Sequence, residues 1–463
     1  MTHPDNEEKK TILSRRDFLG SAALAAATVT IVPRHVLGGP GFKAPSDKLN
    51  IACIGVGGKG FSDTLGVSEE NIVALCDVDD AKMTEFRQRI VEYRPKAISW
   101  FDKARKFKDF RKMLDKMDKE IDAVTISTPD HTHAVAAMMA LKMKKHTFVQ
   151  KPLTHTIAEA RALAAEAQKQ GVATQMGNQG HASKEARMIN TWIQAGAIGD
   201  VTEVHCWTNR PIWPQGIQAP EESMPVPDTL DWDLWLGPAR SRPYHPALCH
   251  FVWRGWFDFG TGALGDMGAH IMDHPYWALK LGHPATVQAS STPVTEDSYP
   301  VASVVKYTFP EREGMPPVAL YWYDGGLMPE RPEDMEPGRR MGSGEGGVLY
   351  IGTRGKLMHA TYGLNPRLVP ETRMQEFVRP EPVIPESPGI QAEWIEAAKN
   401  GGKSTTDFSY SGPLTETMLL GNIAIRMKDM NRVLEWDGGK GEIVNLPEAD
   451  ELLRMPYRAG WTL

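Results

Sequence analysis

The chain has 463 residues, 41% hydrophobic and 24% charged, with a formal net charge of −6. That length allows two or three domains with ample core volume, and the balance is that of a soluble globular protein rather than a disordered or fibrous one. No long basic run is present, which argues against nucleic acid as the main partner, because neutralising phosphates needs clustered Lys and Arg.

At the N-terminus, Ser14-Arg15-Arg16-Asp17-Phe18-Leu19 precedes an alanine-rich apolar stretch from Gly20 to Val32. This resembles the twin-arginine export signal, S/T-R-R-x-F-L-K, with Gly20 in place of the usual lysine. The stretch is shorter than the roughly 20 apolar residues a membrane span needs. The resemblance implies that residues 1–40 are a signal peptide and linker and that the twin-arginine machinery is a partner. It also implies a periplasmic protein without a stable membrane span.

From residue 41 to about 180 strands and helices alternate. Runs at 49–58, 71–79, 121–129, 146–152 and 172–178 read as strands; 107–117, 133–143 and 156–171 have helical spacing. Alternation of this kind predicts right-handed βαβ units and a parallel sheet, hence an α/β Rossmann domain over 41–180. Residues 181–463 change character. A helix at 183–196 and a strand at 201–209 lead into a Trp- and Pro-rich irregular stretch to about 257. Strands at 285–294, 303–309, 317–325 and 347–353 alternate apolar and polar residues, which suits an antiparallel or mixed open sheet with one covered face. The stretch 326–347, crowded with Gly, Pro and charge, reads as a long mobile loop, and 412–427 as a helix. The second domain is thus α+β. The four cysteines, Cys53, Cys76, Cys206 and Cys249, include no CxxC. Cys53 and Cys76 sit in strand-like runs as small buried thiols, although spacing alone leaves a bridge between them open.

Gly55-Val56-Gly57-Gly58-Lys59-Gly60 matches GxGxxG, follows a strand and precedes a helix-like segment. Gly55 permits the tight turn, Gly57 lets the backbone approach a pyrophosphate, Gly60 allows close helix–strand packing, and Gly58 lies within the same turn. Asp77, 17 residues after Gly60, ends the second strand and is placed to accept the adenosine ribose hydroxyls. Its charge would repel a 2′-phosphate, so NAD is favoured over NADP. Thr128, Pro129 and His133, at the end of the third strand, are further candidate cofactor contacts, because ligands bind outside the carboxyl ends of parallel strands. No Cys or carboxylate in a metal-ligand spacing completes a site with His131 and His133; capping or packing suits them better, and no metal is expected.

The order GxGxxG, acidic strand end, STPxxxH, Lys-Pro strand end and GxLxDxGxHxxD resembles the glucose–fructose oxidoreductase and inositol dehydrogenase family, Gfo/Idh/MocA. The resemblance covers nearly the whole mature chain. It implies that Lys151 touches both nicotinamide and substrate hydroxyl, and that Asp266 and His270 are the catalytic pair. Independently, Asp266 and His270 are spaced i, i+4 and share one helical face, and a His beside a carboxylate suits proton acceptance near neutral pH. Asp273 and His274 continue that helix off this face and are left without a role. The motif here is Gln150-Lys151-Pro152, where the family usually has Glu.

Eight of the thirteen tryptophans fall between Trp192 and Trp277. Aromatic walls suit the apolar faces of sugars, although core packing accounts for most of these residues. Asn178, Gln179, His181, Asn209, Arg210 and Trp213, in strand ends or irregular stretches, are the substrate-binding candidates. The expected activity is NAD-dependent oxidation of a secondary hydroxyl of a sugar or glycoside, with tightly bound, internally recycled cofactor, because an exported enzyme meets no free nicotinamide pool. A redox-neutral glycosidase using transient oxidation and elimination is the alternative; a non-catalytic sugar-binding protein is the third. A homo-oligomer is expected from the family's open sheet.

Overall fold

Four of the six strands of the first sheet are short, largely apolar runs, the exceptions being Arg-Lys-Phe and Thr-Gln-Met. In the computed structural model, which describes residues 47–427 and 432–463, these strands are β1 (Asn50–Ile54), β2 (Asn71–Cys76), β3 (Arg105–Phe107), β4 (Ala123–Ile126), β5 (His146–Val149) and β6 (Thr174–Met176). They pair in parallel throughout, in the order β3-β2-β1-β4-β5-β6. A sheet covered on both faces buries every side chain of its inner strands, which is why β4 reads Ala-Val-Thr-Ile without a polar alternation. The strand order reverses between β1 and β4, creating the crevice at which such sheets bind ligands. The twin-arginine pattern and the signal-peptide expectation lie outside the described residues.

Helix starts are encoded locally. Helix α1 (Lys59–Gly66) leaves the glycine turn, and α2 (Asp80–Tyr93) starts where the Asp79 carboxylate accepts from Ala81 N at 2.9 Å. Helix α3 (Asp130–Lys142) follows β4. Helix α4 (Ile157–Gln170) opens in a capping box of Thr156 and Glu159 and closes on left-handed Gly171.

Beyond α5 (Lys184–Gln194), the chain builds a nine-stranded sheet in the order β13-β12-β11-β7-β10-β9-β8-β14-β15. Its strands are β7 (Val201–Thr208), β8 (Thr286–Ser291), β9 (Ser303–Phe309), β10 (Val318–Tyr323), β11 (Gly346–Gly352), β12 (Gly355–Ala360), β13 (Arg367–Val369), β14 (Leu434–Asp437) and β15 (Glu442–Ile443). Only β7 and β10 run parallel; the other pairings are antiparallel, so the sheet is mixed. Helices α6 (Gly262–Ile271), α7 (Asp273–Ala278), α8 (Ile390–Asn400) and α9 (Phe408–Arg426) complete this half. Helix α9 packs on both α4 and α6, so one hydrophobic core runs without a break from the first sheet to the second.

Two expectations change. The stretch 326–347 is irregular but anchored rather than mobile: Met335 and Met341 are buried against Trp207, Leu349, Met358 and Val369, and Glu336 accepts from Arg367 Nη2 at 2.8 Å. Charged composition hid the two methionines that pin it. The bridge left open between Cys53 and Cys76 does not form; all four cysteines are free and buried. Strands β3 and β12–β15 and helices α2 and α8 escaped the sequence reading, since β3, β13 and β15 are too short to show a period and α2 buries only Phe86 and Ile90; Phe107, expected in a helix over 107–117, ends β3. Among the described residues no helix is long and apolar enough to cross a membrane.

Candidate active site

A crevice of about 550 Å³ opens at the carboxyl ends of β1, β2, β4 and β5, lined there by Gly55, Gly57, Gly58, Asp77, Thr128 and Lys151. Gly55 has φ +77°, and a Cβ there would stand 2.7 Å from Ser127 O. At Gly60 a Cβ would stand 2.0 Å from Gly55 O, so this residue does not face the crevice but lets α1 close on the turn. Gly60→Ala should therefore release purified protein with little or no NAD; undiminished NAD content in the denatured supernatant would contradict this. Asp77 is half-buried, with Oδ2 accepting from Val56 N at 2.9 Å and Gly57 N at 3.3 Å, and Oδ1 from Asp79 N at 3.1 Å. Burial raises this carboxyl against those donors. A turn stripped of Cβ atoms, a carboxylate at the second strand end and the lining cations Lys59, Lys82 and Lys108 fit a dinucleotide.

The opposite wall comes from a strap inserted between β7 and α6. Asp80 N donates to Thr229 O at 3.1 Å, Asp231 N to Val78 O at 2.9 Å, and His250 Nε2 lies 3.0 Å from Asp79 Oδ2. Leu234, Trp235, His250, Phe251, Trp253 and Arg254 of this strap line the crevice. Its Trp235 and Phe259 carbonyls lie 2.9 and 3.3 Å from the ring nitrogens of His131. His131 thus fastens the strap to α3, and burial lowers it to about 3. His133 does not line the crevice, a correction to its assignment as a cofactor contact. Its ring nitrogens lie 2.9 Å from Pro152 O and 2.9 Å from Thr128 O, so it braces Thr128 and Lys151 from behind.

Lys151 and α6 bring together the buried titratable groups of the crevice. Lys151 Nζ donates to Asp266 Oδ1 at 2.6 Å and to Asp266 O at 2.9 Å. Arg254 Nε approaches the same Oδ1 at 3.4 Å. Burial raises Asp266, but Lys151 and Arg254 overcome it and hold the carboxyl down to about 2. His270, one turn later, also lines the crevice. Burial first, then the Lys151 charge, holds its ring well below the ordinary imidazole range, so it is neutral. Asp130, at the start of α3, accepts from Thr261 Oγ1 at 2.7 Å, and burial lifts it from 3.8 to about 7. Between those values the folded protein keeps a proton that the unfolded chain has released, so stability falls as pH rises through this window. Asp130→Asn should flatten that slope, as urea midpoints between pH 4 and 8 would reveal.

Gln150 is explained by Asp63. The Asp63 carboxylate, fully buried in α1, accepts from Gln150 Nε2 and from Ser127 Oγ, each at 2.9 Å. It also pairs with Lys59 Nζ at 3.1 Å and accepts from Gln391 Nε2 at 3.3 Å. With a carboxylate already at 63, a second at 150 would face it across a hydrogen-bond distance; an amide donates instead. The negative charge at this point of the site resides on α1, and Gln150 ties it to the strand end that presents Lys151.

Residues 49–178 match the family model described as "Oxidoreductase family, NAD-binding Rossmann fold", and residues 186–314 match its companion, "Oxidoreductase family, C-terminal alpha/beta domain". The chain belongs to this oxidoreductase family, Gfo/Idh/MocA. Curated relatives include a "Glycosyl hydrolase family 109 protein" of Shewanella pealeana, 29% identical over 41% of this chain and 44% of its own length. A levoglucosan dehydrogenase of Pseudarthrobacter phenanthrenivorans is 24% identical over 49% of this chain and 50% of its own. The chain therefore spans half or less of the length of these relatives. Among solved structures, the WlbA dehydrogenase of Bordetella pertussis, in complex with NADH and UDP-GlcNAcA, aligns with a TM-score of 0.54 at 15% identity, covering 84% of this chain and 99% of that one. Levoglucosan dehydrogenase in complex with NADH gives 0.53 at 18%, covering 84% and 99%. At these identities the likeness establishes the fold. The Gfo/Idh/MocA chain carries an NAD-binding Rossmann domain followed by a second domain with a large mixed sheet.

Of the substrate candidates in this Gfo/Idh/MocA protein, Gln179 and Arg210 line the crevice and four do not. Asn178 is fully buried with neither amide atom partnered among the described residues. His181 is buried too, its Nδ1 3.0 Å from Asp273 and its ring stacked 3.9 Å from Trp277. Asn209 is exposed and accepts from Arg210 Nη1 at 2.6 Å, while Trp213 donates to Gln215 at 2.8 Å in the interior. Asp273 lies in α7, bound by His181 and by the Tyr410 hydroxyl at 2.7 Å, so it serves packing. The sequence reading missed Asp63, Asp130, Arg254 and Tyr362, the last three of which line the crevice. Arg254 sat in the irregular tryptophan-rich stretch that had been noticed, so composition pointed to the region without naming the residue.

Proposed function

We propose that this protein is an NAD-dependent oxidoreductase acting on a secondary hydroxyl of a sugar or glycoside. The observation that carries this reading is Lys151, ion-paired to Asp266 beside a neutral His270, in one crevice with the glycine turn. NAD, when bound, supplies the hydride acceptor. Lys151 stabilises negative charge developing on the substrate oxygen. His270 takes the hydroxyl proton, and Asp266 holds the Lys151 ammonium in place. The chain divides its work near residue 180, with 41–180 binding cofactor and 181–463 binding substrate. The name of the levoglucosan dehydrogenase relative supports a carbohydrate substrate.

Tight, internally recycled cofactor is part of this reading, and the hydrogen bonds that hold the strap to Val78 and Asp80 support retention. Retention suits export by the twin-arginine route to the periplasm with cofactor already loaded, and association into a homo-oligomer belongs to the same reading. Mixing the as-purified enzyme with a panel of glycosides should generate bound-NADH absorbance and a keto product by mass spectrometry. Free exchange of cofactor during mild dialysis would count against retention. A redox-neutral glycosidase is the second reading, favoured by the glycosyl hydrolase family 109 relatives. It would release aglycone from chromogenic glycosides with no net NADH.

A further inference from the structure

The substrate end of the crevice carries more positive than negative charge. Lys151 and Arg254 converge on a single oxygen, Asp266 Oδ1, so one carboxylate faces two cations. Arg210 adds a third to the lining, and its partner Glu345, at 3.3 Å, stands outside that lining. Asp130, the other carboxyl of this region, is lifted to about 7 by burial and offsets little below neutrality.

Arg254 is also held rigidly. Its guanidinium lies 4.3 Å from the Trp253 ring, 5.1 Å from Phe251 and 5.8 Å from Trp213. Nη1 donates to Phe251 O at 3.3 Å, and Nη2 has no acceptor among the described residues. A planar guanidinium stacked on aromatic faces, with donors left open towards a cavity, is the recognition element for a two-oxygen anion. Arg254 has to share Asp266 with Lys151, which stands nearer to it, so its charge is only partly answered within the protein and its open donor is left for a ligand. The pyrophosphate does not account for it, because Lys82 packs against Gly57 and Lys59 begins α1, giving the glycine turn cations of its own.

We propose that the substrate is an acidic sugar, one whose ring bears a carboxylate or a sulfate ester, with Arg254 and Arg210 receiving the anion. This rests on the carbohydrate reading above. Tryptophan fluorescence of the protein with its cofactor reduced to NADH reads binding without sugar oxidation, since Trp213 and Trp253 adjoin Arg254. Glucuronate, galacturonate and glucose 6-sulfate are titrated against glucose and galactose. At least one acidic ligand should bind about tenfold tighter than its neutral parent, the size of one charge-assisted hydrogen bond. The uronate and sulfate arms tell the two anions apart. The preference should shrink in high salt and collapse towards unity in Arg254→Gln, with Arg254→Lys retaining part of it. Arg210→Gln provides a second variant, and retained NAD content verifies that each is folded. Neutral sugars binding as tightly as acidic ones would overturn the proposal and leave the carbohydrate reading standing. Failure of every sugar to bind would remove both.

Discussion

Lys151→Ala is expected to lower hydride transfer by about 10²–10³-fold, the loss typical of removing one positioned donor from a developing oxyanion. NAD content should stay near that of the parent, because the glycine turn and Asp77 are untouched. The effect should fall on the rate of bound-NADH formation in a single turnover rather than on sugar affinity. Asp266 loses its nearer counter-ion in this variant, 2.6 Å away in the parent, so its carboxyl will titrate above the present value of about 2. Lys151→Arg keeps the charge but not its compact shape and should recover only part of the rate. A Lys151→Ala enzyme with the parent's rate would remove the catalytic assignment.

Gln150→Glu is the variant with the largest expected effect on stability. It would set two carboxylates face to face where Gln150 Nε2 now donates to Asp63 at 2.9 Å. Both positions are buried, at 5% and 0% exposure, so the repulsion is poorly screened and costs about 3 kcal/mol at neutral pH. The pair can relieve this by sharing a proton, which raises one carboxyl. The variant should therefore regain stability as pH falls towards 5, the opposite of ordinary acid denaturation. Asp63→Asn combined with Gln150→Glu restores one carboxylate and one amide and should recover most of the loss. Thermal midpoints of the two single variants and the double variant, at pH 5 and 7.5, form the cycle that checks this. Additive losses in the double variant would show that the two side chains act separately.

The Glu-to-Gln departure illustrates what one position can and cannot say. Sequence reading identified it as a missing charge beside Lys151; the carboxylate that supplies the charge sits 87 residues earlier, on a helix that pattern alone gave no reason to connect with it. The strap is similar. Its tryptophans were noticed as a cluster, but that Thr229 and Asp231 pair with the end of β2 depends on a meeting of distant segments. His181 and Asn178 failed as substrate contacts because a polar residue after a strand looks the same in sequence whether it faces a crevice or the core.

By itself the sequence specified the two-sheet architecture, the glycine turn, Asp77 at a strand end and the shared helical face of Asp266 and His270; Lys151 was singled out by the family resemblance. Apart from Lys151, each is encoded within a few residues, by strand periodicity, by a turn that only glycine can make, or by an i, i+4 spacing on one helix. Tertiary structure alone decided which polar residues reach the crevice, where the partner of Gln150 lies and how Arg254 is clamped between aromatic rings. Those outcomes depend on contacts between residues far apart in the chain, set by the packing of the strap and of α9 against the first sheet, and no local pattern carries that information.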